Sequence, residues 1–215
     1  MAVWLWSAYN PANSLDWFTE NKMTFFFLPI VFGFCIWYVQ FSKLSFTLIT
    51  TFLILHIIGS HYGYGSVPFG YTLADWTGVD SNNYDKLVHF SFGLLIVYPL
   101  REFFLRVSPA KGFWAYLLPF NAVMMMAALY EIFEWVTVLQ LDPKTAYLFI
   151  GGNDPFDTTK DMFVAAVGAL ITLSIVAILE WVILKEKFWP KMRDSFIRDG
   201  RDHPKEDVLL HKDIL

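Results

Sequence analysis

The chain has a single cysteine in 215 residues, Cys35. One thiol excludes an intramolecular disulfide and a cysteine-based zinc site. Because it lies inside an apolar run, it reads as buried and inert. Charge is scarce as well: 17% of the residues are Asp, Glu, Lys or Arg, against about 25% in a soluble domain. No internal repeat, low-complexity tract or serine or cysteine nucleophile motif is present, which leaves covalent catalysis without a candidate. The N-terminus lacks the basic region and small-residue cleavage site of a secretory signal, so nothing is expected to be removed. No nucleic-acid partner is expected.

What is abundant is apolar and aromatic. Hydrophobic residues make up 56% of the chain and aromatics 19%, with a mean hydropathy of +0.44. They are gathered into blocks of membrane-spanning length. The expected fold is therefore an all-α polytopic transmembrane bundle of about five spans. Residues 1–22, with Trp4, Trp6, Trp17 and Pro11, read as an interfacial segment, since tryptophan favours the headgroup level. Residues 23–60 carry one formal charge, Lys43. As one helix they would reach about 57 Å, nearly twice the roughly 30 Å hydrocarbon core. They divide into spans 23–41 and 45–60. Further spans follow at 85–106, 113–139 and 158–184, and 185–215 is a charged tail.

Between the second and third spans, residues 61–84 hold Gly63, Gly65, Gly70, Gly78 and Pro68. These forbid a long helix and imply a compact aromatic loop on the membrane surface. The loop 140–156 contains a short apolar piece, 146–150, then Gly151, Gly152 and the turn Asn153-Asp154-Pro155. Twelve basic residues fall in the tail, the loop between spans three and four and the turn at Lys43. Only Lys22, Lys86, Lys144 and Lys160 fall on the other side. The positive-inside rule then puts the C-terminus in the cytoplasm and the N-terminus outside, with both acidic loops on the outer face.

Polar chemistry is concentrated at three short pairs. Asp85 and His89 are four residues apart, Glu131 and Glu134 three, and Asp157 and Asp161 four. Each spacing places both side chains on one helix face, and all three pairs fall at the outer level. His56 and His61 lie near the same level. Ionisable groups in a membrane are costly and usually face the bundle interior, and such pairs on neighbouring helices build metal sites in bundles. The expected metal set is Asp85, His89, Glu131, Glu134 and Asp161, holding a divalent ion of the Mg, Mn, Fe or Zn kind. Glu131, Glu134, Asp157 and His61 are the expected acid–base residues. Plainer roles compete. Asp154 suits a cap on span five, Asp85 suits a helix N-terminus, and His56 suits a structural hydrogen bond. His203 and His211 belong to the solvated tail. Lys86 and Lys160 are expected to reach solvent and leave the cluster uncompensated. Toward the inner side, Arg101 either snorkels to the headgroups or pairs with Glu102 or another helix. Met124, Met125 and Met126 read as packing filler. Ala165, Gly168, Ala169 and Thr172 allow close helix contact.

At HYGYGSVPFG, DKLVHF, RE, YEIFEW and DPFDTTKDM with AAVGA, the chain resembles the YjdF-type bacterial inner-membrane proteins across most of residues 9–180. A weaker likeness is to VanZ-like membrane proteins, through Asp85-Lys86, His89-Phe90, a glutamate on the next span and Asp161 seven before Gly168. It departs from that pattern at Ala165, where an asparagine is expected, and at GGNDPFD, which replaces an arginine-bearing loop. These resemblances imply a multi-pass inner-membrane location and supply no mechanism. Three functions stay open: a metal-dependent membrane enzyme acting on a lipid or lipid-linked headgroup, a non-catalytic membrane partner with a structural polar cluster, and a small proton-coupled transporter. The partner common to all three is the lipid bilayer. Oligomeric state is not legible.

Overall fold

The structure is a computed structural model describing residues 2–37, 39–78, 81–108, 110–141 and 154–196. The piece 146–150, Lys144, Gly151 and Gly152, and most of the tail with His203 and His211 lie outside the described residues. Every regular element described is helical: α1 (Ala2–Ala8), α2 (Ser14–Trp37), α3 (Lys43–Tyr62), a 3-10 turn (Tyr64–Ser66), α4 (Pro68–Thr77), α5 (Tyr84–Val107), α6 (Trp114–Val138), α7 (Asp157–Leu184), a second 3-10 turn (Lys185–Lys187) and α8 (Phe188–Asp194).

Local chemistry sets the helix ends. The Ser42 hydroxyl accepts the Ser45 amide at 3.2 Å and caps α3. Pro68 occupies the first turn of α4, where its missing N–H costs nothing. Gly78, at φ 71°, ends α4 in the left-handed conformation with its N–H bonded to Ala74 O. The segment 61–84 therefore contains a ten-residue helix where a loop was expected. The Asn82 side chain accepts the Tyr84 amide at 3.0 Å and starts α5.

Among the described residues, four helices are long and apolar enough to cross a membrane: α3, α5, α6 and the α7 segment. Their bounds fall within about two residues of the apolar segments 45–60, 85–106, 113–139 and 158–184. The segment 23–41 differs, since its helix begins at Ser14 and includes Glu20 and Lys22. The apolar part, 23–37, reaches about 22 Å at 1.5 Å per residue, short of the hydrocarbon thickness.

At the centre of the bundle, α5 packs on α3, α6 and α7. Its closest partner is α7, because both helices lack a side chain where they cross. A Cβ at Gly93 would lie 1.9 Å from Ala165 O, and one at Gly168 would lie 2.3 Å from Phe90 O. Thr172 Oγ1 donates to Leu94 O at 2.6 Å beside this crossing. Val97, Val123, Ala169 and Leu173 form the core below it. Ile171, Ile175, Ile178, Leu179 and Val182 on α7 are exposed, a lipid-facing pattern. Met125 and Met126 also face outward and fill no core gap.

Candidate functional site

The first turns of α5 and α7 meet at one end of the bundle, and Lys86 is the hub between them. Its Nζ lies 2.6 Å from Asp157, 2.8 Å from Asp161 and 3.3 Å from Asp85. Lys86 thus turns inward, contrary to the solvated role expected of it. The reason is charge: Asp157 and Asp161 share one face of α7, and Asp161 is 2% exposed. A buried carboxylate requires a compensating partner, and Lys86 is the cation in reach.

One turn deeper, His89 Nε2 stands 3.5 Å from Asp85 Oδ1 and 3.5 Å from Glu131 Oε1. Both separations exceed a normal hydrogen bond. Asp85 is shared, with Oδ1 toward His89 and Oδ2 toward Lys86. Glu131 is 6% exposed, and its Oε1 accepts no hydrogen bond among the described residues. Asp85, His89 and Asp161 each offer one ligand atom, and these atoms lie within 4.8 Å of one another. Two carboxylates and an imidazole suit a hard or borderline divalent ion. Glu134 falls outside this group of three, although Asp85, Glu131, Glu20 and Asp161 are all within its electrostatic reach.

A second layer comes from α2, whose first turns fall in the stretch 1–22 expected at the interface. Tyr130 OH donates to Glu20 Oε2 at 2.6 Å, and the Tyr130 ring meets His89 edge-on with centroids 5.8 Å apart. Thr24 Oγ1 lies 3.0 Å from His56 Nε2, and Tyr64 OH lies 2.5 Å from His56 Nδ1. His56 therefore has the structural hydrogen bonds expected of it. Burial, and after it the negative charges of Glu20 and Asp85, push the Tyr64 phenol well above its ordinary pKa.

His61 does not join the cluster. Its Nδ1 is 3.0 Å from Ser7 O, and its ring packs at a tilt against Trp6 with centroids 4.2 Å apart. Five residues after His56, at about 100° each, it points to α1 instead of α5. Asp154 accepts the Phe156 amide at 3.0 Å and pairs with Lys160. The Lys160 ammonium, then the Phe156 amide, hold the Asp154 carboxyl below its ordinary range. Lys160 thus stays at the rim, as expected.

The opposite end is built on Arg101, which is 6% exposed and does not snorkel. Its Nη2 lies 2.6 Å from Glu180 Oε1, and its guanidinium stacks 4.9 Å above the Tyr116 ring. Tyr116 OH donates to Glu180 Oε2 at 2.5 Å. Glu102 binds Arg106 and Ser45, and accepts the Ser42 amide and hydroxyl at 2.8 and 2.9 Å.

Membrane-length helices, a lipid-facing apolar surface and buried ionisable groups gathered at the two ends of the bundle define a polytopic helical membrane protein. Residues 1–181 match the family described as "Predicted membrane protein (DUF2238)", and the chain belongs to that family. It is 36% identical over 139 residues to "Inner membrane protein YjdF" of Escherichia coli (strain K12), covering 63% of this chain and 66% of that relative, just under two thirds of its length. No solved structure matches. The VanZ-like resemblance finds no support among these matches. The chain is a multi-pass protein of the inner membrane.

Proposed function

We propose that the acidic end holds a divalent cation between Asp85, His89 and Asp161 at the outer face of the membrane and acts on a lipid or lipid-linked headgroup. The observation that carries this reading is Glu131 Oε1, a buried carboxylate oxygen with no donor among the described residues, 3.5 Å from the His89 ring. A buried acceptor left unmade is costly, and a cation or a protonated ligand beside it removes that cost.

A bound ion would polarise a headgroup oxygen as a Lewis acid. Lys86 presents a positive charge to an anionic headgroup while fixing Asp85 and Asp161. Asp157 anchors Lys86 from α7. Glu131, with its free oxygen, is placed to take a proton from a water or hydroxyl. His61, held by Ser7 O and Trp6, has no part in this reading.

The test is metal analysis of detergent-purified protein, with thermal melts in chelator and after adding back Mg, Mn or Zn. Stabilisation should grow with the logarithm of ion concentration above the dissociation constant, and Asp161→Asn should abolish it. The three ion pairs of Lys86 favour a second reading, a structural lock between α5 and α7. That reading holds if no metal co-purifies and the melts coincide with and without metal.

A further inference from the structure

At the end opposite the acidic cluster, a small cavity opens between α5, α6, α7 and α8. Arg101, Gly112, Tyr116, Glu180, Phe188 and Lys191 line it, and its empty space, mouth included, is about 230 Å³. The enclosed part has room for about one water. Arg101 is buried, and its Nε–H has no acceptor among the described residues. Glu180 takes Nη2 and the Tyr116 ring takes the guanidinium face, which leaves the Nε–H over. Lys191 is held at the wall by close backbone packing. Gly112 has φ 48°, and a Cβ there would lie 2.4 Å from Lys191 O. Ser195, at the end of α8, accepts the Phe113 amide on Oγ at 3.2 Å and the Trp114 indole N–H on its carbonyl at 3.0 Å. These contacts fix α8 over the cavity.

Charge and size together select a ligand. Arg101 and Lys191 are the cations of the lining, and its one acid, Glu180, is already bound by Arg101 and Tyr116. A water would satisfy the Nε–H and leave the surplus positive charge unmet. An oxyanion meets both, because one of its oxygens is the size of a water. We propose that this cavity binds the phosphate group of an anionic phospholipid, with one oxygen accepting from Arg101 and another in the mouth against Lys191. Arginine and lysine both suit phosphate, the first through directed N–H groups and the second as a point charge. Exposed tryptophans favour the lipid as the source. Trp114, Trp181 and Trp189 are exposed and adjoin the lining residues Ala115, Glu180 and Phe188 in sequence, and such rings sit at the headgroup level. Basic pockets between spanning helices on the cytoplasmic side hold anionic headgroups, and the basic asymmetry assigns this end to that side. In residues 185–194, Lys185, Lys187, Lys191 and Arg193 outnumber Glu186 and Asp194, which favours a lipid of net negative charge over a zwitterionic one.

The experiment uses the full chain in detergent with chelator, so that a cation at the acidic end plays no part. Binding is measured for short-chain phosphatidylglycerol, short-chain phosphatidylethanolamine and inorganic phosphate. The variants are Lys191→Gln, Lys187→Gln and the double variant Arg101→Met with Glu180→Leu. Wild type should bind phosphatidylglycerol about tenfold more tightly than phosphatidylethanolamine, and Lys191→Gln should erase that margin, the scale of one charge-assisted hydrogen bond. Lys187 is exposed and does not line the cavity, so Lys187→Gln should keep the preference. The double variant, which strands no charge, should lose it. Lys191 is at the surface end of the site and half-buried, so Lys191→Gln should fold and decides the matter if the double variant does not. Equal binding of the two lipids by wild type overturns the inference and leaves a water as the partner of Arg101. Equal losses in Lys187→Gln and Lys191→Gln overturn it in favour of diffuse attraction to the basic surface, and a preference that survives the double variant removes Arg101 from the site and overturns it too. Inorganic phosphate binding as tightly as the lipid, and losing affinity in Lys191→Gln, supports the phosphate site with the free ion as its source.

Discussion

Replacing Lys86 by methionine keeps most of the side-chain volume and removes the charge that three carboxylates share. The three contacts differ in worth. The Asp161 side chain is 3% exposed, so losing its partner strands a buried charge, at about 3–5 kcal/mol. The Asp85 and Asp157 side chains are 34% and 33% exposed, and such pairs contribute about 0–1 kcal/mol each. The expected loss is about 4 kcal/mol. At about 2–4 °C per kcal/mol for a chain of this length, Tm should fall by about 8–16 °C in a chelator-containing melt. Lys86→Arg should retain most of the stability. Lys86→Met combined with Asp161→Asn should recover much of the loss, because the stranded charge is then gone and the two effects are not additive. A divalent ion should also rescue Lys86→Met more than it stabilises wild type. Melting of Lys86→Met within about 2 °C of wild type, against the several-degree shift expected for a stranded buried charge, or simple additivity in the double variant, would refute the reasoning.

Gly93→Ala should cost more than about 1–3 kcal/mol, the usual cost of overpacking, because its Cβ meets backbone that no rotamer change can move; loss of monodisperse protein in size-exclusion chromatography would show it. Arg101→Met should destabilise by about 3–5 kcal/mol in a denaturant or thermal melt, and adding Glu180→Leu should restore part of that. The Asp154 carboxyl is held low by Lys160, so its small contribution is present above about pH 4, the ordinary carboxyl value. It is lost as pH falls through the lowered folded value. The Tm difference between wild type and Asp154→Asn should therefore shrink on acidification, and a difference that grows would contradict the pairing.

Helix positions were legible because lipid leaves few alternatives: a long apolar run in hydrocarbon must satisfy its backbone internally, and α3, α5, α6 and α7 follow those runs closely. Asp85, His89, Glu131 and Asp161 were legible for a related reason, since ionisable residues in such helices have few faces to occupy. Lys86 was misread because sequence shows its neighbour Asp85 and not Asp157, 71 positions away. Glu20 was missed because its partner Tyr130 is 110 positions distant, and a polar helix start looks interfacial until its direction is known. His61 was misplaced by counting depth without rotation.

The glycine crossing of α5 and α7 also limits how the acidic end can open. Two helices in backbone contact at Gly93 and Gly168 behave as one spindle, and sliding one past the other would drive carbonyl oxygens into the neighbouring turn. Lys86, Asp85, Asp157 and Asp161 all ride on that spindle and keep their spacing. Glu131, Glu134 and Tyr130 ride on α6, and Glu20 on α2. Any ligand entering between them would therefore do so by tilting α6 and α2 away from the spindle, like leaves on a fixed post, so the half carried by α5 and α7 stays set while the half carried by α6 and α2 swings.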